Sequence, residues 1–178
     1  MKRLIRFIDK CGSFGGGLAG LMLCVALALI VAEIVLRGCF NSTLLITDEY
    51  SGYLMVGATF CALSYTLRER GHIRMTFLHR IVTGRPRLYL DVACFAIGLV
   101  FSAGLTYFTA QLFWDSVVTQ TQSMQISETY LAIPQFFMPL GAFLLTIQFV
   151  GEICKSLLAL KADTAGLLLN EEAPDLGR

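Results

Sequence analysis

Four long apolar stretches, each almost free of charged residues, constrain this chain more than any other feature. They lie at about 12–36, 50–67, 92–114 and 133–158, and the helices that contain them are expected at about 12–36, 48–68, 89–114 and 133–158. A helix needs about 20 residues to cross a bilayer at about 1.5 Å per residue. None of the stretches alternates polar with apolar residues, so membrane-spanning strands are not indicated. The sequence therefore predicts an all-α integral membrane protein with four transmembrane helices.

The composition excludes several classes of protein. Hydrophobic residues make up 56% of the chain and charged residues 15%, whereas a soluble domain has about 25% charged residues. The balance of 14 Lys and Arg against 13 Asp and Glu gives no net charge that would attract nucleic acid. We find no catalytic triad, phosphate-binding loop or metal-binding motif, and the six cysteines are not closely spaced. We therefore expect neither an enzyme nor a cofactor.

The distribution of basic residues predicts the orientation. The N-terminal segment carries four Lys or Arg, the first loop one, the second loop six, the third loop none and the last segment three. Because basic residues stay on the cytoplasmic side, both termini and the second loop are expected there. We expect a multi-pass protein of the bacterial inner (cytoplasmic) membrane, with a membrane domain at 1–160 and a polar cytoplasmic tail at 161–178.

The second loop contains a segment, at about 73–83, whose apolar residues recur at helical spacing. This pattern predicts an amphipathic helix lying in the cytoplasmic headgroup layer. The alternative is a basic linker that follows the positive-inside rule. In either case four arginines are expected to contact phospholipid headgroups: Arg68, Arg70, Arg74 and Arg80.

Residues at the helix ends fit this division. Thr47 is expected to cap the second helix, with Asp48 and Glu49 in its first turn. Pro134 suits the start of the fourth helix, where its missing N–H costs nothing. Pro139 lies one turn deeper and predicts a kink, or a break between an interfacial piece and the membrane helix.

Glu33 is the most notable ionisable residue, since charge inside a membrane helix is costly. Arg37 follows four residues later, the favourable spacing for a local ion pair. The alternative is that Glu33 couples transport to protons or ions. No ionisable residue lies in the middle third of any predicted helix, where a transporter normally places its coordinating groups. We therefore expect that this chain does not contain a translocation path.

Several motifs together resemble the small membrane (Q-type) subunit of the tripartite ATP-independent periplasmic (TRAP) transporters. They are the Glu33-x-x-x-Arg37 pair, the Asp48-Glu49 pair that opens the second helix, the Gly71-His72-Ile73 signature after it and the fourth-helix entry at 133–141. The resemblance covers about residues 1–160. It implies subunit-interface or structural roles for Glu33, Arg37, Asp48, Glu49, His72, Pro134 and Pro139.

The resemblance also implies partners and a function. In that family a large membrane subunit moves the substrate, and the small subunit stands beside it as a scaffold. A periplasmic binding protein delivers the substrate, usually an organic acid, and an ion gradient, of sodium, drives uptake. Two other functions stay open on sequence alone: a self-sufficient homodimeric transporter that uses Glu33 for proton coupling, and a membrane anchor for a redox enzyme.

Overall fold

The structure, a computed structural model, describes residues 2–69, 85–125 and 127–171. Within these ranges the chain is helical, apart from loops and one isolated β-bridge between Gln122 and Tyr130. Five helices follow one another: α1 at Lys2–Phe40, α2 at Thr47–Arg68, α3 at Arg85–Thr119, α4 at Ala132–Gln135 and α5 at Phe137–Glu171. The all-helical prediction is confirmed for this part of the chain.

Three stretches of the described residues are long and apolar enough to cross a membrane: Ile5–Phe40, Val92–Thr119 and Ala132–Leu158. The fourth predicted span, α2, is not among them, although its 22 residues would be about 33 Å long. Serine, threonine, tyrosine and glycine lower its hydropathy. Several of these residues, such as Ser64 and Gly57, are buried. The count of four transmembrane helices stays a prediction.

The long helices extend beyond the predicted apolar stretches. The first begins at Lys2 rather than near residue 12, and no proline or glycine interrupts residues 2–11. It ends where Asn41 takes a left-handed conformation (φ 48°), as asparagine readily does after a helix. The last helix continues to Glu171, into the predicted tail, because Leu, Ala and Lys favour helix there.

The helices pack in a definite order. The first two are antiparallel neighbours joined by a loop at 41–46; α2 also packs on α5, and α5 packs on α3. Small residues allow close approach: a Cβ on Gly15 would lie 2.7 Å from the Cys61 carbonyl oxygen, and one on Gly141 would overlap the Phe60 carbonyl group. The central position of α2 therefore depends on glycines in α1 and α5.

The fourth predicted helix is broken near its start. The short helix α4 ends at Gln135, and α5 begins at Phe137. Pro139 has no N–H to donate to the carbonyl group of Gln135, four residues before it. The break thus lies one turn before the proline, at the place where the lost hydrogen bond weakens the helix.

Most of the apolar surface faces outward. In the most apolar window of each candidate span, only 17–28% of the residues are buried inside the chain. Large side chains such as Phe101, Phe108 and Trp114 on α3 are two-thirds or more exposed. Such a surface is typical of helices surrounded by lipid or by the helices of another membrane protein.

Candidate functional site: polar clusters at the two ends of the bundle

Two groups of charged and polar side chains lie at opposite ends of the helices. The Glu33 end contains Glu33, the loop at 41–46, the start of α2 and the loop at 120–131. The Asp9 end contains Asp9, Arg68 and the segment of α5 around Gln148, Glu152 and Lys155. We use these two names below.

Glu33 is 6% exposed and accepts hydrogen bonds from four partners. Arg37 Nε and Thr43 Oγ1 donate to its Oε1 at 2.5 and 2.6 Å. The backbone N–H of Leu44 and the hydroxyl of Thr47 donate to its Oε2 at 2.7 and 3.3 Å. The carboxylate therefore ties the end of α1 to the connecting loop and to the first residue of α2.

The predicted capping role of Thr47 is wrong. The N-cap position of α2 is occupied by Ile46, whose backbone is helical. No side chain forms a capping hydrogen bond there. The Thr47 hydroxyl instead donates to Glu33, since a buried carboxylate is a stronger acceptor than the hydroxyl's local alternatives. The hydroxyl thus connects two helices rather than capping one.

Glu49 is the second buried carboxylate of the Glu33 end, at 7% exposed. The Tyr53 hydroxyl donates to its Oε1 at 2.6 Å, and the Ser127 hydroxyl donates to its Oε2. Ser127 belongs to the loop between α3 and α4, and Tyr50 meets the same loop through Thr129 at 3.1 Å. Glu49 thus attaches this loop to the start of α2.

A charged network at the Asp9 end joins α1 to α5. Lys155 Nζ lies 2.8 Å from both Asp9 Oδ1 and Glu152 Oε1. Gln148, which is 1% exposed, donates to Asp9 at 3.3 Å. The network fixes the relative height of the two helices, because each charge has an oppositely charged neighbour on the other helix or one turn away.

The region between the two ends has small hydroxyl groups and no described charge. Thr106 and Thr146 share a hydrogen bond of 3.0 Å between α3 and α5. Ser102 is fully buried and donates to the carbonyl oxygen of Leu99 in its own helix. These groups satisfy each other or the backbone, an arrangement typical of helix packing.

The remaining predicted site residues are dispersed. Asp48 is exposed in the first turn of α2, and Pro134 lies within α4. Arg68, expected at lipid headgroups, is 31% exposed, donates to the Ser13 hydroxyl on α1 and lies 3.8 Å from Glu69. The structure does not describe 70–84, where His72, Arg70, Arg74, Arg80 and the predicted amphipathic helix lie.

Sequence reasoning missed Asp9, Thr43 and Ser127. The signal for Asp9 was present: Asp9 and Lys155 are each charges at the end of an apolar stretch, on helices that the topology places side by side. The hydroxyls of Thr43 and Ser127 gave no such signal, because they lie in loops whose path depends on tertiary packing.

The described residues hold no group of three or more His, Cys, Asp and Glu side chains suited to a metal ion. The six cysteines are free thiols, of which Cys61 is fully buried. The Cys61 thiol packs with Ala19, Met22 and Ala58 in the core between α1 and α2. Its role is that of a small apolar side chain.

Comparison with known proteins gives one match. The sequence model of the family described as "Tripartite ATP-independent periplasmic transporters, DctQ component" matches residues 26–159. No curated protein and no solved structure matches the chain. The matched region includes Glu33 with the last part of α1 and Glu49 with the whole of α2, and it covers well over half of the sequence. The chain belongs to the DctQ family and is a transporter component, not an enzyme.

Proposed function

We propose that this subunit is a stationary scaffold, around which a larger membrane subunit moves its substrate. The observation that carries the proposal is the placement of charge. The described charged side chains within or next to the apolar spans lie at the two ends. Between them, the hydroxyls of Ser102, Thr106 and Thr146 bond to one another or to the backbone. A solute path would need accessible polar groups near the middle of the membrane.

The bonding of Glu33 argues for a structural role. Four donors surround its carboxylate, and one of them is the guanidinium of Arg37. Such an arrangement favours the charged form, whereas a proton carrier must lose and regain its proton during the cycle. Glu33 is thus better suited to hold the α1–α2 connection than to couple transport to protons.

The family assignment is the basis for the proposed partners. We propose a large TRAP membrane subunit and a periplasmic substrate-binding protein as partners, and an ion gradient, of sodium, as the driving force. The cargo would be an organic acid such as a carboxylate. On this proposal neither the sodium site nor the substrate site lies in this chain.

We also propose that all four long helices span the inner membrane, with both termini cytoplasmic and the Glu33 end outside. In α2 the polar residues Ser64 and Thr47 are buried by neighbouring helices, which lowers the cost of a less apolar span. The basic residues of 68–87 would then contact anionic phospholipid on the cytoplasmic side.

Reconstitution tests the scaffold proposal directly. The chain alone, a large membrane subunit of the same transporter alone, and both together are placed in liposomes with the purified binding protein, an inward sodium gradient and a labelled organic acid. We expect uptake only when both membrane subunits are present. Uptake by the chain alone would overturn the proposal, and so would full uptake by the large subunit alone.

A matched variant separates scaffold from coupling residue. In the complete system we expect Glu33→Gln to reduce the yield of assembled complex, while the uptake per assembled complex stays within about twofold of the wild type. A complex that assembles normally but loses all gradient-driven uptake would identify Glu33 as a coupling group instead. Glu69→Gln serves as the control, since Glu69 is about half exposed.

A further inference from the structure

We infer that the cavity beside Glu49 binds one basic side chain, an arginine or a lysine, of the protein that docks on the Glu33 end. The cavity has a volume of about 620 Å³ and lies between the first three turns of α2 and the loop at 120–131. The inference rests on the proposed function for the docking partner. It goes beyond that function in assigning a binding site, a ligand class and a specific carboxylate.

Glu49 is buried, and no described basic side chain lies beside it. Its oxygens accept hydrogen bonds from Ser123, Ser127 and Tyr53, which are neutral groups. Among the residues that the structure describes, no Lys, Arg or His forms an ion pair with it, in contrast to Glu33 and Arg37. The helix N-terminus supplies only about half a unit of charge. A buried carboxylate normally has a full opposite charge nearby.

The segments that form the cavity contain no basic residue of their own. The sequence contains no Lys or Arg between Arg37 and Arg68, and none between Arg87 and Lys155. Both elements that form the cavity fall within these two intervals. Arg37 is already bonded to Glu33. None of the described basic residues lies beside Glu49, so a full positive charge at this position would come from another molecule.

The walls of the cavity suit a long basic side chain. Val56 and Leu131 give it an apolar side, Tyr53 contributes an aromatic ring, and Gln122 and Gln125 contribute amides. An arginine or lysine side chain has matching parts, since its methylene groups pack on apolar surface and its charged head binds carboxylate and amide oxygens. The tyrosine ring also favours a cation.

The same walls disfavour a metal ion. Calcium takes six to eight oxygen ligands, usually from several carboxylates. The cavity is lined by one carboxylate, that of Glu49, and no metal-binding group of three acidic, His or Cys side chains occurs among the described residues. A guanidinium or ammonium group needs only one carboxylate with neutral acceptors around it.

The test measures binding of N-acetyl-arginine amide to the full chain in lipid nanodiscs. Met124 lines the cavity and is fully exposed, so the NMR signal of its ¹³C-labelled methyl group reports occupancy. A Met124→Leu variant assigns that signal. N-acetyl-citrulline amide, which has nearly the same shape but no charge, is the matched control. We expect a saturable shift of the Met124 signal with the arginine probe and none with the citrulline probe.

Three variants locate the binding group. We expect Glu49→Gln to weaken binding of the arginine probe at least about tenfold, because the charged partner is lost. Asp48→Asn should change it less than about twofold, since Asp48 is exposed. Gly52→Leu should abolish binding while Glu49 stays, because Gly52 lines the cavity and nothing lies within 4 Å of its Cβ position.

The outcomes are distinct. Equal binding of both probes, unchanged binding in Glu49→Gln, or a saturable Met124 shift with calcium chloride but not with the arginine probe would each overturn the inference. If Glu49→Gln does not fold, the Gly52→Leu variant tests the site instead. Unchanged binding of the arginine probe to Gly52→Leu would then overturn the inference. The probe needs neither the large subunit nor a gradient, so failure here is separate from failure of the uptake experiment.

Discussion

Glu33 accepts hydrogen bonds from α1, from the loop at 41–46 and from the start of α2, so one side chain determines how the chain turns at this end. Its partners include a backbone N–H, that of Leu44, which has no other acceptor in a loop of six residues. Loss of the carboxylate would leave that group without its acceptor. We therefore expect Glu33 to affect the order of the loop at 41–46 more than the overall fold.

We predict that Glu33→Gln speeds hydrogen exchange at the Leu44 amide at least about tenfold, because the glutamine amide offers one acceptor oxygen to four donors. Exchange is measured by mass spectrometry on the protein in nanodiscs. Glu69→Gln, at a half-exposed position, should leave it unchanged. An unaltered rate in Glu33→Gln would show that Glu33 does not hold the loop.

A double-mutant cycle tests the Glu33–Arg37 pair. Arg37 is 60% exposed, so we expect Arg37→Gln to lower the midpoint of thermal unfolding less than Glu33→Gln does. The decrease in the unfolding midpoint of the double variant should be smaller than the sum of the two single decreases, because both single variants remove the same bond. Strictly additive changes in the midpoint would mean that the two side chains act independently.

The sequence predicted the Glu33–Arg37 contact because their spacing on one helix is fixed by helical geometry. It did not predict the roles of Thr43 and Thr47, and it assigned Thr47 a capping role that the structure replaces with a bond to Glu33. Contacts between side chains on one helix can be predicted from their spacing in the sequence. The hydrogen-bond partners of a buried carboxylate depend on the path of a loop, which is set by tertiary packing.

At the scale of the elements, α2 is held between α1 and α5 by contacts that only glycine permits. Gly15 on α1 faces the Cys61 carbonyl group, and Gly141 on α5 faces the Phe60 carbonyl group. These contacts lie on two sides of α2, a helix with modest hydropathy of its own. Its place in the fold should therefore depend on close packing rather than on partition into lipid.

We predict that Gly141→Ala lowers the free energy of unfolding by about 1–3 kcal/mol, since the added methyl group would overlap the backbone of α2. Gly104→Ala on α3 is the control: nothing lies within 4 Å of its Cβ position, and alanine favours helix by about 0.5–1 kcal/mol. Unfolding in detergent is followed by circular dichroism. Equal stability of the two variants would contradict the packing argument.

Long apolar stretches indicated the existence and type of the long helices, because hydrophobicity over 20 residues is a strong signal. The boundaries were less predictable. The first helix continues ten residues beyond the apolar stretch at its N-terminus, since helix formation does not stop where the hydrocarbon does. The break at Phe136 followed the expectation from Pro139, although one turn earlier than the proline itself.

At the scale of the whole molecule, the proposed orientation can be tested with thiols. We predict that Cys39, exposed at the Glu33 end, reacts with a membrane-impermeant maleimide in intact cells when the other five cysteines are alanine. A Lys10→Cys variant in the cysteine-free chain should react only after the membrane is permeabilised. If Lys10→Cys were labelled in intact cells and Cys39 were not, the orientation would be the opposite of the one proposed.

The proposed lipid contacts belong to the same scale. We predict that the double variant Arg74→Gln and Arg80→Gln lowers the thermal midpoint in nanodiscs of anionic phospholipid but changes it little in zwitterionic ones, because each basic residue near an anionic surface contributes about 1 kcal/mol. Fluorescence-detected unfolding measures both. A similar decrease in the two lipids would mean that the arginines act within the protein.

The spacing of the two charged clusters has a consequence for the thickness of the surrounding bilayer. Asp9 and Glu33 are 24 positions apart on one continuous helix, which corresponds to about 36 Å, whereas the hydrocarbon layer is about 30 Å thick. If the protein moved along the membrane normal, one of the two charged clusters would enter the hydrocarbon layer. In a membrane of different thickness, the lipid around the protein would therefore have to stretch or compress to match it, or the helix would have to tilt.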